Sequence, residues 1–258
     1  MVRRSALMLL GLTFVAFVAC GSFQEAKTES ADGGASESGA SEGGASPGTF
    51  CATQDAGFCD DFDTATTLQP SWKKSSATGC DIKLDEARSF SAPRAVHATC
   101  SSVATPNHLA LTNLALQRYL DVSFSMFLSG LPATRARLVS FTTEGRTFAF
   151  VATGAGLVAE IDVGTVPVTT MSFPFSKEFS IEVWARVHIE VFYDDKDGHV
   201  FVDVDDNRVV DASALFTYPH GQIPPANPLL FGAESGDASG SFDVSFDNIV
   251  VQRARLVP

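Results

Sequence analysis

The longest run of alternating apolar and polar residues covers positions 181–210 and predicts a β-hairpin. The dipeptide Asp197-Gly198, typical of a hairpin turn, lies near its middle. Valine and isoleucine side chains share one face of the two strands: Val183, Val187, Ile189, Val191, Val200, Val202 and Val204. The other face carries Trp184, Arg186, His188, Glu190, Phe192, Phe201, Asp203 and Asp205. We expect the first face to lie in a core.

Shorter alternating segments flank this hairpin and are separated by turn signals. Half-buried strands are predicted at positions 120–128, 148–152 and 157–163. Turns are indicated by Ser129-Gly130, Glu144-Gly145 and Thr153-Gly154. Helical periodicity is nearly absent, with one helical turn expected at 212–216, and four prolines within 219–228 predict a loop. Many short strands at this spacing favour an all-β sandwich or barrel over residues 50–258.

The first residues have the features of an export signal. Arg3 and Arg4 precede an apolar run at 6–19, which is shorter than the roughly 20 apolar residues of a membrane span. The segment Phe17-Val18-Ala19-Cys20 resembles the lipobox of bacterial lipoproteins, in which the cysteine becomes the lipidated N-terminus. We expect residues 1–19 to be a lipoprotein signal peptide, with Gly21 after the cysteine favouring an outer-membrane or cell-surface anchor. The alternative is ordinary secretion, with Cys20 removed or left free.

Residues 20–49 have the composition of a linker. Glycine, serine, alanine and glutamate dominate, and the tetrapeptide Gly-Gly-Ala-Ser occurs at 33–36 and again at 43–46. Such a segment buries too little apolar surface to offset its chain entropy. It is predicted to be a disordered tether with a mean reach of roughly 30 Å.

Four cysteines remain once Cys20 is assigned to lipid. An even number in an exported chain predicts two disulfides, with three pairings open. Joining Cys51 to Cys59 and Cys80 to Cys100 closes the shortest loops. A zinc site is disfavoured because no two cysteines have the usual C-x-x-C spacing.

The chain is acidic, with a formal net charge of -12. Loss of Arg3 and Arg4 with the signal peptide makes the mature protein more negative still. Nucleic acid is therefore excluded as an expected partner, because its binding needs basic patches. The only membrane contact expected is through the lipid anchor.

Three segments together resemble the concanavalin A-like, laminin-G-like jelly rolls. One is the hairpin, with Trp184 opening a strand, Gly198 in the turn and Val202-Asp203-Val204-Asp205 closing the return strand. The others are Phe58-Cys59-Asp60-Asp61-Phe62, followed by Trp72, and Phe246-Asp247-Asn248-Ile249-Val250-Val251. The resemblance implies a two-sheet antiparallel jelly-roll sandwich in which these opening and closing strands pair. Asp205-Asp206-Asn207 departs from the glycine-containing turn of the family.

The mixed face of the hairpin is the main candidate site. The resemblance places it on the concave sheet, where an aromatic ring and paired donors and acceptors suit a sugar. Its predicted ligand-binding residues are Trp184, Arg186, His188, Glu190, Phe192, Asp203 and Asp205. Strand parity puts Glu190 opposite Asp203 or Asp205, and two facing carboxylates repel. We expect Arg186, His188, Arg208, a bound cation or a raised carboxylate pKa to compensate for this repulsion. The alternative is a solvated face whose charges have no role.

Other acidic segments give weaker signals. Glu160-Ile161-Asp162-Val163 resembles the catalytic signature of laminarinase-like glycoside hydrolases, but Thr165 stands where the acid is needed, and no catalytic residue is predicted. Asp194, Asp195 and Asp197 do not fit an EF-hand and are better explained by a turn. Calcium is a candidate cofactor at Asp61 and Asp247, where the opening and closing strands meet. A parity change at Asp247-Asn248 predicts a β-bulge there.

The function expected from the sequence is therefore that of a lipid-anchored surface protein that binds a glycan or another extracellular ligand. The first alternative is a glycan-active enzyme, a hydrolase or a lyase, using carboxylates of the same face. The second is a structural surface protein without a small ligand.

Overall fold

The computed structural model describes residues 49–64, 66–76, 78–100, 108–112, 118–143, 146–164, 168–217, 228–234 and 242–252. The predicted signal peptide, Cys20 and nearly all of the tether lie outside these ranges, as does most of the proline-rich segment at 219–228. Within the described residues, no helix has the length and apolar content required to cross a membrane.

The described residues are almost entirely β-structure. A four-residue helix, α1 (Thr49–Ala52), precedes the strands. The strands are β1 (Phe58–Asp60), β2 (Trp72–Ser75), β3 (Cys80–Asp85), β4 (Ala95–Cys100), β5 (His108–Leu111), β6 (Tyr119–Leu128), β7 (Arg135–Thr143), β8 (Arg146–Thr153), β9 (Gly156–Val163), β10 (Thr169–Pro174), β11 (Trp184–Phe192), β12 (Gly198–Val204), β13 (Asn207–Leu215), β14 (Leu229–Glu234) and β15 (Phe242–Val251).

The strands form two antiparallel sheets. One has eight strands in the order β13-β12-β11-β6-β15-β4-β3, with β1 also paired to β15. The other has seven strands in the order β10-β9-β8-β7-β14-β5-β2. This confirms the predicted all-β, two-sheet antiparallel sandwich.

The core between the sheets is rich in phenylalanine. Phe124 on β6 lies at its centre, with ring centroids 5.3 Å from Phe231 and 6.5 Å from Phe150 of the seven-stranded sheet. Phe246 on β15 also contacts it, at 5.8 Å. Edge-to-face contacts of this kind add to the free energy gained by burying the rings.

The closing strand β15 lies inside the eight-stranded sheet and joins β6 to β4 and β1. It pairs with β6 along one edge, and with β4 and then β1 along the other. Its register with β6 shifts between Asp247 and Val250, and Asn248 has a φ of 50°. The predicted bulge is confirmed, as is the pairing of the opening and closing strands.

The hairpin is shorter at its start than the sequence indicates. Ile181 and Val183 precede β11 and are 42% and 55% exposed, so Val183 does not contribute to the core. At the far end, Asp205 and Asp206 have φ values of 48° and 62° and form a tight turn into β13. Aspartate tolerates this left-handed region better than most residues, which explains how the turn forms without glycine.

The helical turn predicted at 212–216 is wrong. Residues up to Leu215 belong to β13, and Ala212 and Leu215 are buried in the core cluster. Pairing with β12 therefore outweighs the local preference of this alanine-containing segment.

Both disulfides have the pairing that closes the shortest loops. Cys51 is joined to Cys59, which fixes α1 beside β1. Cys80 is joined to Cys100, directly opposite on β4.

Gly198 was predicted to form a hairpin turn, but the structure needs a glycine there because the backbone of β13 lies too close for a side chain. The link between β11 and β12 occupies residues 193–197, and the first pair across it joins Phe192 to His199, so Asp197-Gly198 is not a two-residue turn. The Asp194 carboxylate instead accepts hydrogen bonds from the backbone N–H groups of Lys196 and Asp197. A Cβ atom on Gly198 would lie 2.4 Å from the carbonyl oxygen of Leu215.

We predict that Gly198→Ala lowers the free energy of unfolding by about 1–3 kcal/mol, because the backbone of β13 has to move to admit a methyl group. Urea unfolding of the purified domain measures the change. Gly130→Ala is the matched control, since a Cβ there meets no atom within 4 Å. Equal stability of both variants and the wild type would show that the close contact is not rigid.

Candidate active site on the eight-stranded sheet

The predicted face of the hairpin points away from the core. Along β11, Val187, Ile189 and Val191 are buried between the sheets. The alternating residues are half-buried or exposed on the outer surface: Trp184, Arg186, His188, Glu190 and Phe192. Asp203 lies beside them on β12, whereas Asp205 lies in the turn and accepts a hydrogen bond from the Arg186 backbone N–H at 2.9 Å.

The predicted partner of Glu190 is wrong, although the predicted parity is right. Glu190 lies opposite Phe201 on β12, because the connecting loop is longer than a four-residue turn. An opposing carboxylate is found on the other side, where Glu190 faces Asp121 of β6. The expected repulsion between two carboxylates is therefore present, with a different partner.

A tyrosine and a histidine stabilise this pair of carboxylates. The Tyr119 hydroxyl donates to Oε1 of Glu190 at 2.9 Å and lies 3.4 Å from Oδ2 of Asp121. Nε2 of His199 lies 3.1 Å from the same Glu190 oxygen. Two groups able to carry a proton thus converge on one carboxylate oxygen.

His188 lies between two further carboxylate oxygens. Its Nε2 is 3.1 Å from Oδ1 of Asp121, and its Nδ1 is 3.3 Å from Oδ2 of Asp203. The hydrogen bond with Asp121, helped by that with Asp203 and opposed by burial, raises the pKa of His188. The imidazolium form is therefore favoured.

Arg208 completes the group at the edge of the sheet. Its guanidinium donates two hydrogen bonds to Asp203 and lies 4.4 Å from the centre of the Phe201 ring. Burial favours the neutral acid, but the bonds from Arg208 and His188 together outweigh it and lower the pKa of Asp203. We call the following set the outer-face cluster: Tyr119, Asp121, His188, Glu190, His199, Asp203 and Arg208.

Tyr119, Asp121 and His199 are the members that the sequence interpretation missed, whereas Arg208 was among the groups expected to compensate the carboxylates. Tyr119 and Asp121 have the polar parity of β6, and His199 has the polar parity of β12, so their outward direction was readable. The proximity of Tyr119 and Asp121 to Glu190 depends on β6 lying next to β11, across a long sequence separation. No local pattern reports that neighbour.

The Glu160–Asp162 segment lies elsewhere. Both residues are on β9 of the seven-stranded sheet, where Glu160 forms an ion pair with Arg135. Asp162 accepts hydrogen bonds from the Thr147 backbone N–H and the Thr170 hydroxyl. Both carboxylates hold neighbouring strands of their own sheet.

The two residues predicted to bind calcium have protein partners. Asp61 accepts a hydrogen bond from the backbone N–H of Asp63 at 3.3 Å. Asp247 is fully buried and is engaged by backbone groups. Across the described ranges, no group of three or more His, Cys, Asp or Glu side chains is placed to hold a metal ion. Calcium therefore stays a prediction that no contact supports.

Asp247 instead anchors the β3–β4 connection to the sheet. Its Oδ2 accepts hydrogen bonds from the backbone N–H groups of Phe90 and Ser91, each at 2.9 Å, and from the Ser91 hydroxyl. Its Oδ1 accepts one from the N–H of Asn248 in the bulge. Burial outweighs these bonds and raises the pKa of Asp247 to about 7.

Comparison with known proteins gives matches in structure but not in sequence. No family model and no curated protein matches the chain. An endo-β-1,4-glucuronan lyase from the fungus Trichoderma reesei superposes with a TM-score of 0.64 at 13% identity, covering 77% of this chain and 96% of that one. The cellulose-induced protein Cip1 gives 0.57 at 14% identity, covering 77% and 98%. The alginate lyase Aly36B gives 0.51 at 15% identity, covering 74% and 100%.

At these identities the likeness establishes the fold, which is consistent with the concanavalin A-like architecture expected from the hairpin. It also corrects the expected function. The sequence favoured a protein that binds a glycan or another extracellular ligand, but the structural neighbours are mostly polysaccharide lyases. The comparison therefore favours the alternative of a glycan-active enzyme.

The raised pKa of Asp247 predicts a pH-dependent contribution to stability. The Asp247 carboxyl group binds its proton more tightly in the folded chain than in the unfolded chain, where its pKa is near 3.8. The contribution is therefore present below that pH and is lost as the pH rises through about 7. Asp247→Asn removes the titration, so the melting temperature of the variant minus that of the wild type should increase across this range. A difference that stays constant with pH would contradict the prediction, whatever its size.

Proposed function

We propose that this domain is a polysaccharide lyase that cleaves a uronate-containing glycan by β-elimination at the outer-face cluster. The observation that carries the proposal is the convergence of the Tyr119 hydroxyl and the His199 imidazole on one oxygen of Glu190. The lyases among its structural neighbours support the same class of reaction.

β-Elimination needs two proton transfers and no water. A base removes the proton from the carbon next to the uronate carboxylate, and the electron pair left behind forms a carbon–carbon double bond. The bond from the adjacent carbon to the glycosidic oxygen breaks, and an acid protonates that oxygen. Side chains that carry these protons typically contribute about 10²–10⁴-fold each to the rate.

Tyr119 and His199 fit these two roles. They approach from β6 and β12, on either side of Glu190 in β11, so a sugar lying across the three strands contacts both. We assign the imidazole as the base and the phenol as the acid. Glu190 positions both groups through its shared oxygen.

Positive charge at the site comes from His188 and Arg208. Removal of the proton builds negative charge on the uronate carboxylate, and nearby cations stabilise that charge. His188 lies two residues from Glu190 on the same face, and its side chain is 36% exposed. Its neighbours Asp121 and Asp203 raise its pKa and so favour the imidazolium form.

Glycoside hydrolysis is the second candidate, because Asp121 lies directly opposite Glu190. Side chains paired in this way have Cβ atoms about 4.5–5.5 Å apart. That spacing is close to the roughly 5–5.5 Å between the carboxyl groups of retaining glycosidases. Hydrolysis adds water across the cleaved bond, whereas elimination leaves a conjugated double bond in the product.

Incubation of the purified domain with β-1,4-glucuronan and with alginate tests the proposal. We expect ultraviolet absorbance from an unsaturated uronate to appear together with new chain ends. Tyr119→Phe and His199→Gln should each lower kcat by about 100-fold or more, because each removes one proton carrier.

Tyr193→Phe is the matched control for Tyr119→Phe. Tyr193 is buried in the core, with its ring 6.0 Å from that of Phe141, so its loss of a hydroxyl should leave kcat unchanged. New chain ends without ultraviolet absorbance would show that the domain cleaves by hydrolysis and not by elimination. No cleavage of any uronate-containing glycan would refute the proposal.

We further propose that the enzyme is exported and anchored at the cell surface through Cys20. The support comes from the sequence: the lipobox-like segment and the Gly/Ser-rich tether that follows it. A tether of this kind lets the domain reach an extracellular polysaccharide while staying attached to the cell.

The anchor is tested by membrane fractionation of cells that express the full chain. Cys20→Ala should move the protein from the membrane fraction to the soluble exported fraction, because the lipidated side chain is lost. Ser22→Ala retains the cysteine and should stay with the membrane. Equal membrane association of both variants would rule out lipidation at Cys20.

A further inference from the structure

We infer that a second carbohydrate subsite, specific for a uronate, lies beside the outer-face cluster and is formed by Phe90, Phe127, Trp184 and Arg186. We call these four residues the aromatic–arginine patch. The inference rests on the proposed function and extends it, because it names a unit of the glycan that binds without being cleaved.

The patch and the cluster share one strand face. Trp184 and Arg186 lie on β11 on the same side as His188 and Glu190. With a rise of roughly 3.3 Å per residue, the Cα atoms of Arg186 and Glu190 are about 13 Å apart. A glycan lying along β11 therefore contacts both sites at once.

The patch offers aromatic surface to a sugar ring. Trp184 lies between two phenylalanines, with centroid distances of 5.9 Å to Phe90 and 5.7 Å to Phe127. Phe90 is 39% exposed, so part of its ring is accessible to a ligand. Within the described residues, the indole N–H of Trp184 donates no hydrogen bond, so it is available to a hydroxyl.

Arg186 supplies the charge that selects a uronate. Its guanidinium lies 5.7 Å from the centre of the Phe90 ring, and no carboxylate of the described residues forms an ion pair with it. The neighbouring Arg88 differs, because its guanidinium is 2.9 Å from Asp243. An unpaired guanidinium on the surface of a chain with net charge -12 is placed to bind an external carboxylate with two parallel hydrogen bonds.

Asp247 holds the patch in place from below. Its carboxylate accepts hydrogen bonds from the backbone N–H groups of Phe90 and Ser91, so the backbone that carries the Phe90 ring is held by a buried side chain of β15. Asp247 also lies opposite Ser125 of β6, which in turn lies opposite Arg186. The loop, the bulge and the patch therefore form one ordered unit, which lowers the entropy lost on binding.

Two oligosaccharides of equal length test the subsite: an oligoglucuronate and a cello-oligosaccharide. Both have β-1,4 linkages, and they differ in the carboxylate. Binding is measured by calorimetry in a Tyr119→Phe background, so that cleavage does not interfere. We expect Arg186→Gln to weaken oligoglucuronate binding about tenfold and to leave cello-oligosaccharide binding unchanged. Phe90→Ala should weaken binding of both ligands several-fold.

Arg135→Gln is the control, because it removes the same charge from the opposite sheet, where Arg135 pairs with Glu160. It should leave both affinities unchanged. Unaltered oligoglucuronate affinity in Arg186→Gln, or equal loss for both sugars, would overturn the subsite. This outcome is independent of catalysis: cleavage by the wild type together with unaltered Arg186→Gln binding removes the subsite alone. Absence of cleavage together with selective loss of uronate binding removes the lyase and keeps the subsite.

Discussion

The register of β11 between β6 and β12 determines how the rest of the eight-stranded sheet is used. Because side chains alternate across a strand, this register places Val187, Ile189 and Val191 in the core. The same register sets Glu190 against Asp121 and His188 against Asp203. A slip of β11 by two residues would keep the core face apolar but would separate His188 and Glu190 from their hydrogen-bond partners on β6 and β12. The network of hydrogen bonds on the surface therefore specifies the register more finely than the core does.

The bulge in β15 is the second constraint, and it links the core to the outer surface. Without the extra residue, Phe246 and Ile249 would point to opposite faces of the strand. The left-handed backbone of Asn248 lets both contribute to the core. The bulge also places the Asp247 carboxylate beneath the β3–β4 connection, where this carboxylate accepts hydrogen bonds from two backbone N–H groups. Irregular backbone near a sheet needs such partners, because an unpaired buried N–H costs about as much as a lost hydrogen bond.

Sequence patterns predicted the architecture well because they depend on local rules. Alternation gave the strands and faces of β6, β9, β11 and β12, and the parity change in Phe246–Val251 gave the bulge. The membership of the outer-face cluster was predicted in part: the residues of β11 were named, but their partners on β6 were not. Strand order and loop length decide those partners, and neither is encoded in a local period. The error over Glu190 shows the size of the problem, since two extra loop residues replaced Asp203 by Phe201. Gly198 was assigned to the right hairpin for the wrong reason, because its contact with Leu215 comes from a third strand.

Electrostatics explain why the side chains that stabilise the outer-face cluster are also suited to proton transfer. Two carboxylates facing each other on adjacent strands repel, and a sheet face without a function would be more stable with threonine or an apolar pair. This chain keeps Asp121 and Glu190 and offsets their repulsion with a phenol and two imidazoles. Each of these groups can gain or lose a proton, so the side chains that stabilise the folded charges are the ones suited to proton transfer. The outer face of the seven-stranded sheet offers a contrast, because Glu160 is paired with the fixed charge of Arg135 and Asp162 with backbone and hydroxyl donors. Those partners neutralise or bind a carboxylate but do not exchange protons near neutral pH. The choice of partner, more than the presence of acidic residues, therefore separates the face that we propose to be reactive from the opposite face.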